Sequence, residues 1–369
     1  MTQPTLAFVH DTPAVRVVLR VGALSEVADE ARKLGRRTLL IADEAMKPRA
    51  DVIAADLGDR LAGRIDEVIM HVPVEQARAA VAYAGETGAD TIVAIGGGSA
   101  TGLAKAIAKE LHLPIVAVPT TYAGSEMTPI WGLTEGERKT TGRDLHVLPR
   151  TVVYDPALTV GLPVSTSAAS AMNAIAHCVE GMYSSAASPV TSLLAEEGVR
   201  ALAAALPRVV ADPTDLAARS EAQYGAWLAG WVLGTTGMGV HHKICHVLGG
   251  TYNLPHAPAH SAVIAYATAY NAAYAPAAMA RLARALGSAT AAEGIWDLAR
   301  RIGAPTSLAA VGFRESDAEE AARLVTATPF ANPRPVDPDS IRDLLIAACR
   351  GDRPSPDRVL RAQAGDQSH

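Results

Sequence analysis

Five of the eleven histidines fall between positions 241 and 260: His241, His242, His246, His256 and His260. His242 and His246 lie four apart in VHHKICHVLGG, and Asn173 and His177 lie four apart in SAMNAIAHCVEG. Residues at that spacing share one face of a helix. Gly249-Gly250 is expected to end the helix that carries His242, and His256 follows in the loop NLPHAP. A lone histidine in an apolar helix is ordinarily a satisfied core residue; paired spacing plus a loop histidine points instead to a site. Two chemistries suit it. Imidazoles ligate iron, zinc or nickel. Alternatively the cluster, with Lys243 adding a permanent charge, makes a cationic pocket for an anionic substrate. The metal reading has a weakness: three histidines bring no negative charge, and Asn173 offers a neutral amide where a carboxylate would complete a common catalytic ligand set.

A second candidate site lies in the first half. Gly96-Gly97-Gly98-Ser99 follows the run TIVAI and precedes GLAKAIAKEL. Glycines there let backbone N–H groups approach a pyrophosphate, and a helix start adds partial positive charge. Tight strand–helix packing is the structural alternative. PIVAVPTTYAGSE repeats the pattern of a strand followed by a polar turn, with Thr120, Thr121 and Ser125 placed for phosphate or nicotinamide contacts. Asp43 closes the run RTLLIA. It either accepts ribose hydroxyls, which favours NAD over NADP, or caps the next helix. Lys139 either reaches the cofactor or belongs to a solvated charge run with Arg138 and Arg143.

The elements that must position these residues change character along the chain. Short apolar runs at 15–19, 37–42, 65–72, 91–95 and 114–118 read as strands. They alternate with helical stretches at 24–34, 52–61, 74–85 and 102–111. Such alternation implies a Rossmann-like parallel sheet with helices on both faces. Beyond Asp155-Pro156 the pattern becomes Ala/Leu-rich and helical, at 167–184, 190–204, 215–231 and 277–286. We therefore expect an α/β dinucleotide-binding domain over 1–160 and an all-helical substrate and catalytic domain over 161–369, with a proline-rich, turn-rich tail.

Composition narrows the partners. The 369 residues carry 33 Lys+Arg against 38 Asp+Glu, a formal charge of -5, which argues against a general nucleic-acid binder. Aromatics are only 4%, too few for base-stacking platforms. Three cysteines, Cys178, Cys245 and Cys349, form neither a disulfide framework nor a zinc pattern, which fits a reducing, cytoplasmic setting. Cys178 and Cys245, beside site histidines, are expected to be buried packing residues. The N-terminus shows no signal-peptide pattern and the chain no membrane span, so neither is expected. His10, His71, His112 and His146 are scattered and read as structural or exposed.

With these residues in view, the sequence resembles the iron-containing alcohol dehydrogenase family over essentially its whole length. The resemblance runs through AIGGGSATGLAKAIA, VPTTYAGSEMTPIWG, KTTGRDLHVLPRTVVYDPALT, AMNAIAHCVEGMYS, GVHHKICHVLGGTYNLPHAPAHSAV and NPRPVDPDSIRDLLIAA. It implies the dehydroquinate synthase-like fold. It places the metal-dependent members' ligand positions at Asn173 (their Asp), His177, His242 and His256, and the non-ligand histidine beside the nicotinamide at His246. The family's Asp after the glycine loop is Gly102 here, and its TTAGTGSE loop is one residue shorter, as TTYAGSE. Asn173 and HHKICHVLGG set this chain with a subgroup that does not use a metal-polarised alkoxide. For that subgroup the resemblance implies reduction of the carbon–carbon double bond of maleylacetate to 3-oxoadipate, in catabolism of aromatic compounds. NADH or NADPH is the implied donor, at a cleft between the domains, with no required metal. His242, Lys243, His246, His256, His177 and Asn173 would stabilise the enolate, and His246 or His242, or a water they hold, would supply the proton. The implied partners are a small dicarboxylate and a second copy of the chain in a homodimer. The alternative is an iron- or zinc-dependent dehydrogenase of a small alcohol or aldehyde.

Overall fold

The computed structural model describes His10, residues 14–136 and residues 138–354. Two compact units emerge. One gathers residues 14–167 with Ala211–Gly234; the other gathers Ala168–Val210 with the described residues from Thr235 onward.

The first unit is built on a parallel sheet of β1 (Arg16–Leu19), β2 (Thr38–Ala42), β3 (Leu61–Ile65), β4 (Thr91–Gly96), β5 (Ile115–Pro119) and β8 (Thr151–Tyr154), in the order β1-β8-β5-β4-β2-β3. Helices α1 (Val27–Leu34), α2 (Lys47–Leu57), α3 (Val74–Glu86) and α4 (Gly98–Leu111) connect the strands. The near-continuous apolar runs are explained by burial on both faces. Leu39, Ile41, Ile92, Ala94, Ile115 and Ala117 face α3 and α4, whereas Leu40, Ala42, Val93, Ile95, Val116 and Val118 face α1 and α2. A hairpin of β6 (Ile130–Glu135) and β7 (Arg138–Arg143) departs from the sequence reading, which saw a charge run there. The expected strand at 65–72 is also displaced: β3 ends at Ile65, and His71 and Val72 take positive φ. The expected helices at 52–61 and 102–111 begin earlier, at Lys47 and Gly98.

Helix α5 (Val164–Tyr183), α6 (Pro189–Ala211), α7 (Leu216–Thr235), α8 (Val240–Tyr252), α9 (His256–Asn271), α10 (Pro276–Leu286), α11 (Ala291–Arg301), α12 (Ala318–Thr326) and α13 (Pro338–Arg350) complete the described chain. The sheet unit claims α7, which the sequence reading placed in the helical half. Small residues make this possible. A Cβ on Gly230 would stand 2.7 Å from the Gly124 carbonyl oxygen, and one on Gly234 would stand 2.6 Å from that of Met127. Trp227 and Trp231 pack against the sheet's α3/α4 side. The fully buried Arg219 donates to Tyr122 Oη (3.1 Å), Ser167 Oγ (2.8 Å) and the Pro213 carbonyl (3.0 Å). Gly249-Gly250 does not end α8; the helix continues to Tyr252 and closes on Asn253 at φ 52°. The tail expected to be turn-rich contains α13, capped by Asp337 accepting from the Ser340 N–H. No helix among the described residues is long and apolar enough to cross a membrane.

Candidate active site

The glycine loop of the sheet unit has the geometry of an anion cradle. Gly96 takes φ +148°, Gly97 is the N-cap of α4, and Gly98 and Ser99 open the helix. No side chain caps α4, so its first-turn N–H groups are available to an anion. Added Cβ atoms show which glycines are obligatory. On Gly96 one would stand 2.4 Å from Asp43 Oδ2 and 2.9 Å from Ala100 Cβ; on Gly98 the nearest atom is Ala123 Cβ at 4.0 Å. Gly102 sits inside α4, and there a Cβ would meet Val72 Cγ2 at 2.9 Å, so packing accounts for glycine at that position. Asp43 fulfils its capping alternative: Oδ1 accepts from Met46 N (3.1 Å) and Oδ2 from Gly97 N (3.1 Å), tying the end of β2 to the loop.

The second loop is held by Thr120 and by two residues the sequence reading did not single out, Lys105 and Glu126. Thr120 N donates to the Gly96 carbonyl at 3.0 Å, and Thr121 lies against Gly97. Lys105, buried on α4, sends Nζ to the carbonyls of Ser125 (2.6 Å), Thr128 (2.8 Å) and Ile130 (2.8 Å) and to Thr128 Oγ1 (3.0 Å). Burial pulls its ammonium down to about 7, against the pull of Glu126. Glu126, itself buried, accepts from Tyr154 Oη at 2.8 Å. Lys105 thus links the cradle helix to the Thr120–Ser125 turn. Replacing it with Met leaves those acceptors unpaired, at about 1–3 kcal/mol. We expect Lys105→Met to lower the urea midpoint and to weaken binding of a reduced nicotinamide dinucleotide; unchanged binding would contradict that role. Lys139 lies in β7, but its side chain falls outside the described residues.

In the helical unit, α5, α8 and α9 bring the predicted histidines together. His177 and His242 stack with ring centroids 5.0 Å apart and 21° between planes. His242 lies 4.9 Å from His260 and 6.3 Å from His246, and His256 lies 4.2 Å from His260. The αL turn at Asn253 and the start of α9 at His256 fold the two histidine helices onto one another. Asn173, His177, His242 and His260 are buried; His246 and His256 are exposed. Lys243 is half-buried, with Nζ 2.7 Å from Thr328 Oγ1 and 5.8 Å from the Phe330 ring centre. Cys178 and Cys245 are buried free thiols, as expected.

Two further groups form the floor of this cluster. Glu180 lies on α5 in line with Asn173 and His177, and is buried. Its Oε2 is 2.5 Å from His242 Nδ1, and its Oε1 accepts from the His241 main-chain N–H at 2.7 Å. The spacing 173, 177, 180 was a signal available in the sequence. His241, the second group, is completely buried, with Nε2 3.0 Å from the His260 carbonyl oxygen.

The expected cationic patch requires correction. Burial, reinforced by neighbouring imidazoles, holds His177, His242 and His260 well below the ordinary histidine range and brings His241 to about 4. These rings are neutral near pH 7, so Lys243 is the cluster's permanent charge. The same burial makes a stability prediction. Unfolded imidazoles take up protons near pH 6.5, whereas folded His241 does so only near 4, so the unfolded chain binds more protons between those values. Stability is therefore full above pH 6.5 and falls as pH drops toward 4, by about 3 kcal/mol from His241 alone. Burial raises Glu180 and Glu126, which acts in the opposite sense, so the loss is read as a difference: between pH 7 and 4 the urea midpoint of wild-type protein should fall more steeply than that of His241→Gln, and parallel profiles would contradict it.

The donor set does not suit an iron ion as it stands. Asn173 is uncharged, and the His177 and His242 rings stack against one another with centroids 5.0 Å apart. The buried carboxylate, Glu180, is already engaged by His242 and His241. Among the described residues, the potential ligand atoms lying within 4.8 Å of one another are those of His241, Cys245 and His260, and of Glu180, His241 and His242. His177, His242 and His256 do not occur together in either group. Asn173 Oδ1, His177 Nδ1 and His242 Nε2 are nonetheless buried without a hydrogen-bond partner, which marks the place where a ligand would be met.

Comparison with known proteins agrees with this fold. The iron-containing alcohol dehydrogenase model matches residues 14–156, and that of the C-terminal region of the Fe-containing alcohol dehydrogenase family matches residues 167–349. The chain belongs to the iron-containing alcohol dehydrogenase family. It is 51% identical to a maleylacetate reductase of Burkholderia cepacia over 350 residues, covering 95% of this chain and 99% of the relative. It is 50% identical to one from Sphingobium indicum, covering 94% and 98%. The crystal structure of maleylacetate reductase from Agrobacterium tumefaciens superimposes with a TM-score of 0.92 at 45% identity, covering 95% of this chain and all of that one.

Proposed function

We propose that this chain reduces the carbon–carbon double bond of maleylacetate to give 3-oxoadipate, with NADH or NADPH as donor and without a required metal. The observation that carries the reading is 51% identity to a maleylacetate reductase over nearly the whole of both chains. The site chemistry supports it too, because by the family resemblance Asn173 is an amide at the position that is Asp in the metal-dependent members.

The loop Gly96–Ser99 and the first turn of α4 would hold the dinucleotide's pyrophosphate, with Thr120, Thr121 and Ser125 lining the adjacent turn. When bound, the reduced nicotinamide supplies a hydride. The substrate carbon β to the ketone receives it, and negative charge gathers on the ketone oxygen as an enolate. Preorganised donors stabilise that oxygen. Lys243, the Asn173 amide and His256 at the start of α9, where the helix dipole is positive, are suited to this. Lys243 also attracts the substrate's carboxylates. The α carbon then takes a proton. Buried, neutral His242 is a poor acid, and its Nδ1 is engaged with Glu180. Exposed His246, one turn further along α8, is the acid of this reading. The dicarboxylate substrate and a homodimeric assembly are part of the same proposal.

The test compares substrates. The purified protein should oxidise NADH or NADPH with maleylacetate, releasing 3-oxoadipate, and leave ethanol and lactaldehyde untouched. Turnover of a small alcohol dependent on added iron, with no reduction of maleylacetate, would overturn the reading.

A further inference from the structure

The hydrogen bonds beneath His242 specify its tautomer. His241 Nε2 faces the His260 carbonyl oxygen at 3.0 Å, and a carbonyl only accepts, so Nε2 carries the proton of the neutral His241 ring. Its Nδ1 is therefore bare, and it faces His242 Nδ1 at 3.3 Å. Two bare nitrogens do not bond, so His242 Nδ1 carries the hydrogen. That hydrogen also lies toward Glu180 Oε2 at 2.5 Å. His242 Nε2 is left with its lone pair, buried and without a partner, in the same cluster as unpartnered Asn173 Oδ1.

Glu180 is held in place for this role. Its other oxygen accepts from the His241 main-chain N–H at the start of α8, a helix whose N-cap, Gly239, offers no side chain. A Cβ on Gly239 would stand 3.1 Å from Glu180 Oε1, so the glycine admits the carboxylate. Glu180 is thus the cap of α8 supplied from α5, and capping fixes where its second oxygen points.

We propose that Glu180, with His241, is a positioning residue that locks His242 in the Nδ1–H tautomer. His242 Nε2 is then an acceptor that orients the water carrying the proton from His246 to the substrate. An acceptor cannot itself protonate the α carbon or donate to the enolate. The choice of tautomer follows from the contacts of His241 with the His260 carbonyl and with His242 Nδ1, with the His241 ring neutral and Glu180 ionised; the assignment of the water rests on the proposed reduction of maleylacetate.

The test has two readouts. The first is the ¹⁵N and ¹³C spectrum of histidine-labelled protein, with the His242 signals assigned by comparison with His242→Gln. Wild-type His242 should show a protonated Nδ1 and a bare Nε2; a protonated Nε2 would overturn the proposal, whatever the activity. The second is Glu180→Gln, nearly the same shape, which places an amide N–H₂ against Nδ1. We expect His242 to switch to the Nε2–H tautomer and kcat with maleylacetate to fall about 10- to 100-fold, with KM for NADH little changed. An unchanged kcat and unchanged tautomer in the folded variant would overturn it. If wild-type protein does not reduce maleylacetate, the proposed function fails while the spectrum still decides the tautomer.

Discussion

His246→Gln is expected to lower kcat with maleylacetate about 100-fold or more, the range lost when a general acid is removed. His246 is exposed on α8, so the substitution creates no cavity and should leave the urea midpoint unchanged. The fall should appear in kcat and in kcat/KM alike, because the proton is needed only as the enolate collapses. Binding of NADH, followed by its fluorescence, should change little. A variant with wild-type kcat would remove His246 as the acid. The buried histidines of the cluster are disqualified, since His177, His242 and His260 are held neutral and His241 titrates only near 4; exposed His256 is assigned instead to the enolate oxygen.

The second large effect falls on the cradle. Gly96→Ala meets two obstacles, a φ of +148° and a Cβ 2.4 Å from Asp43 Oδ2. The backbone strain alone costs about 1–3 kcal/mol. Relief requires Asp43 to leave Gly97 N, which unfastens the loop from the end of β2. We expect a lower urea midpoint and an affinity for the reduced dinucleotide, NADH or NADPH, reduced about 100-fold, equivalent to about 2.7 kcal/mol. Gly98→Ala is the internal control. Its nearest neighbour would be 4.0 Å away, so stability should be retained while the added methyl obstructs the approach of the pyrophosphate. Equal destabilisation by both substitutions would contradict this account of the loop.

The sheet was legible from its unbroken apolar runs and the histidine pairs from the helical repeat. Runs such as TIVAI and PIVAV are buried on both faces, so they read as parallel strands, and β4 and β5 form where expected. Asn173 and His177 needed only the helical repeat. The hairpin β6–β7 was not legible, because IWGLTE and RKTTGR lack an apolar alternation and pair through their backbones. Gly249-Gly250 misled for a different reason: a glycine weakens a helix without ending it, and the stop came from Asn253 in the αL conformation. The charge of the histidine cluster could not be read from a count. It depends on desolvation, which sequence does not display, and the structure turned an expected cationic patch into neutral rings. Glu180 and Lys105 escaped notice on the same ground. A charged residue in a helix reads as solvated until its burial among backbone groups is seen.

The central claim is that the chain reduces maleylacetate with its own side chains in place of a metal. The most direct measurement treats the purified protein with a strong chelator, verifies the metal content, and follows NADH or NADPH loss with maleylacetate while quantifying 3-oxoadipate. The account predicts undiminished turnover, one 3-oxoadipate formed per reduced dinucleotide consumed, and no gain on adding iron or zinc. Activity that collapses after chelation and returns only with one of those ions would contradict it.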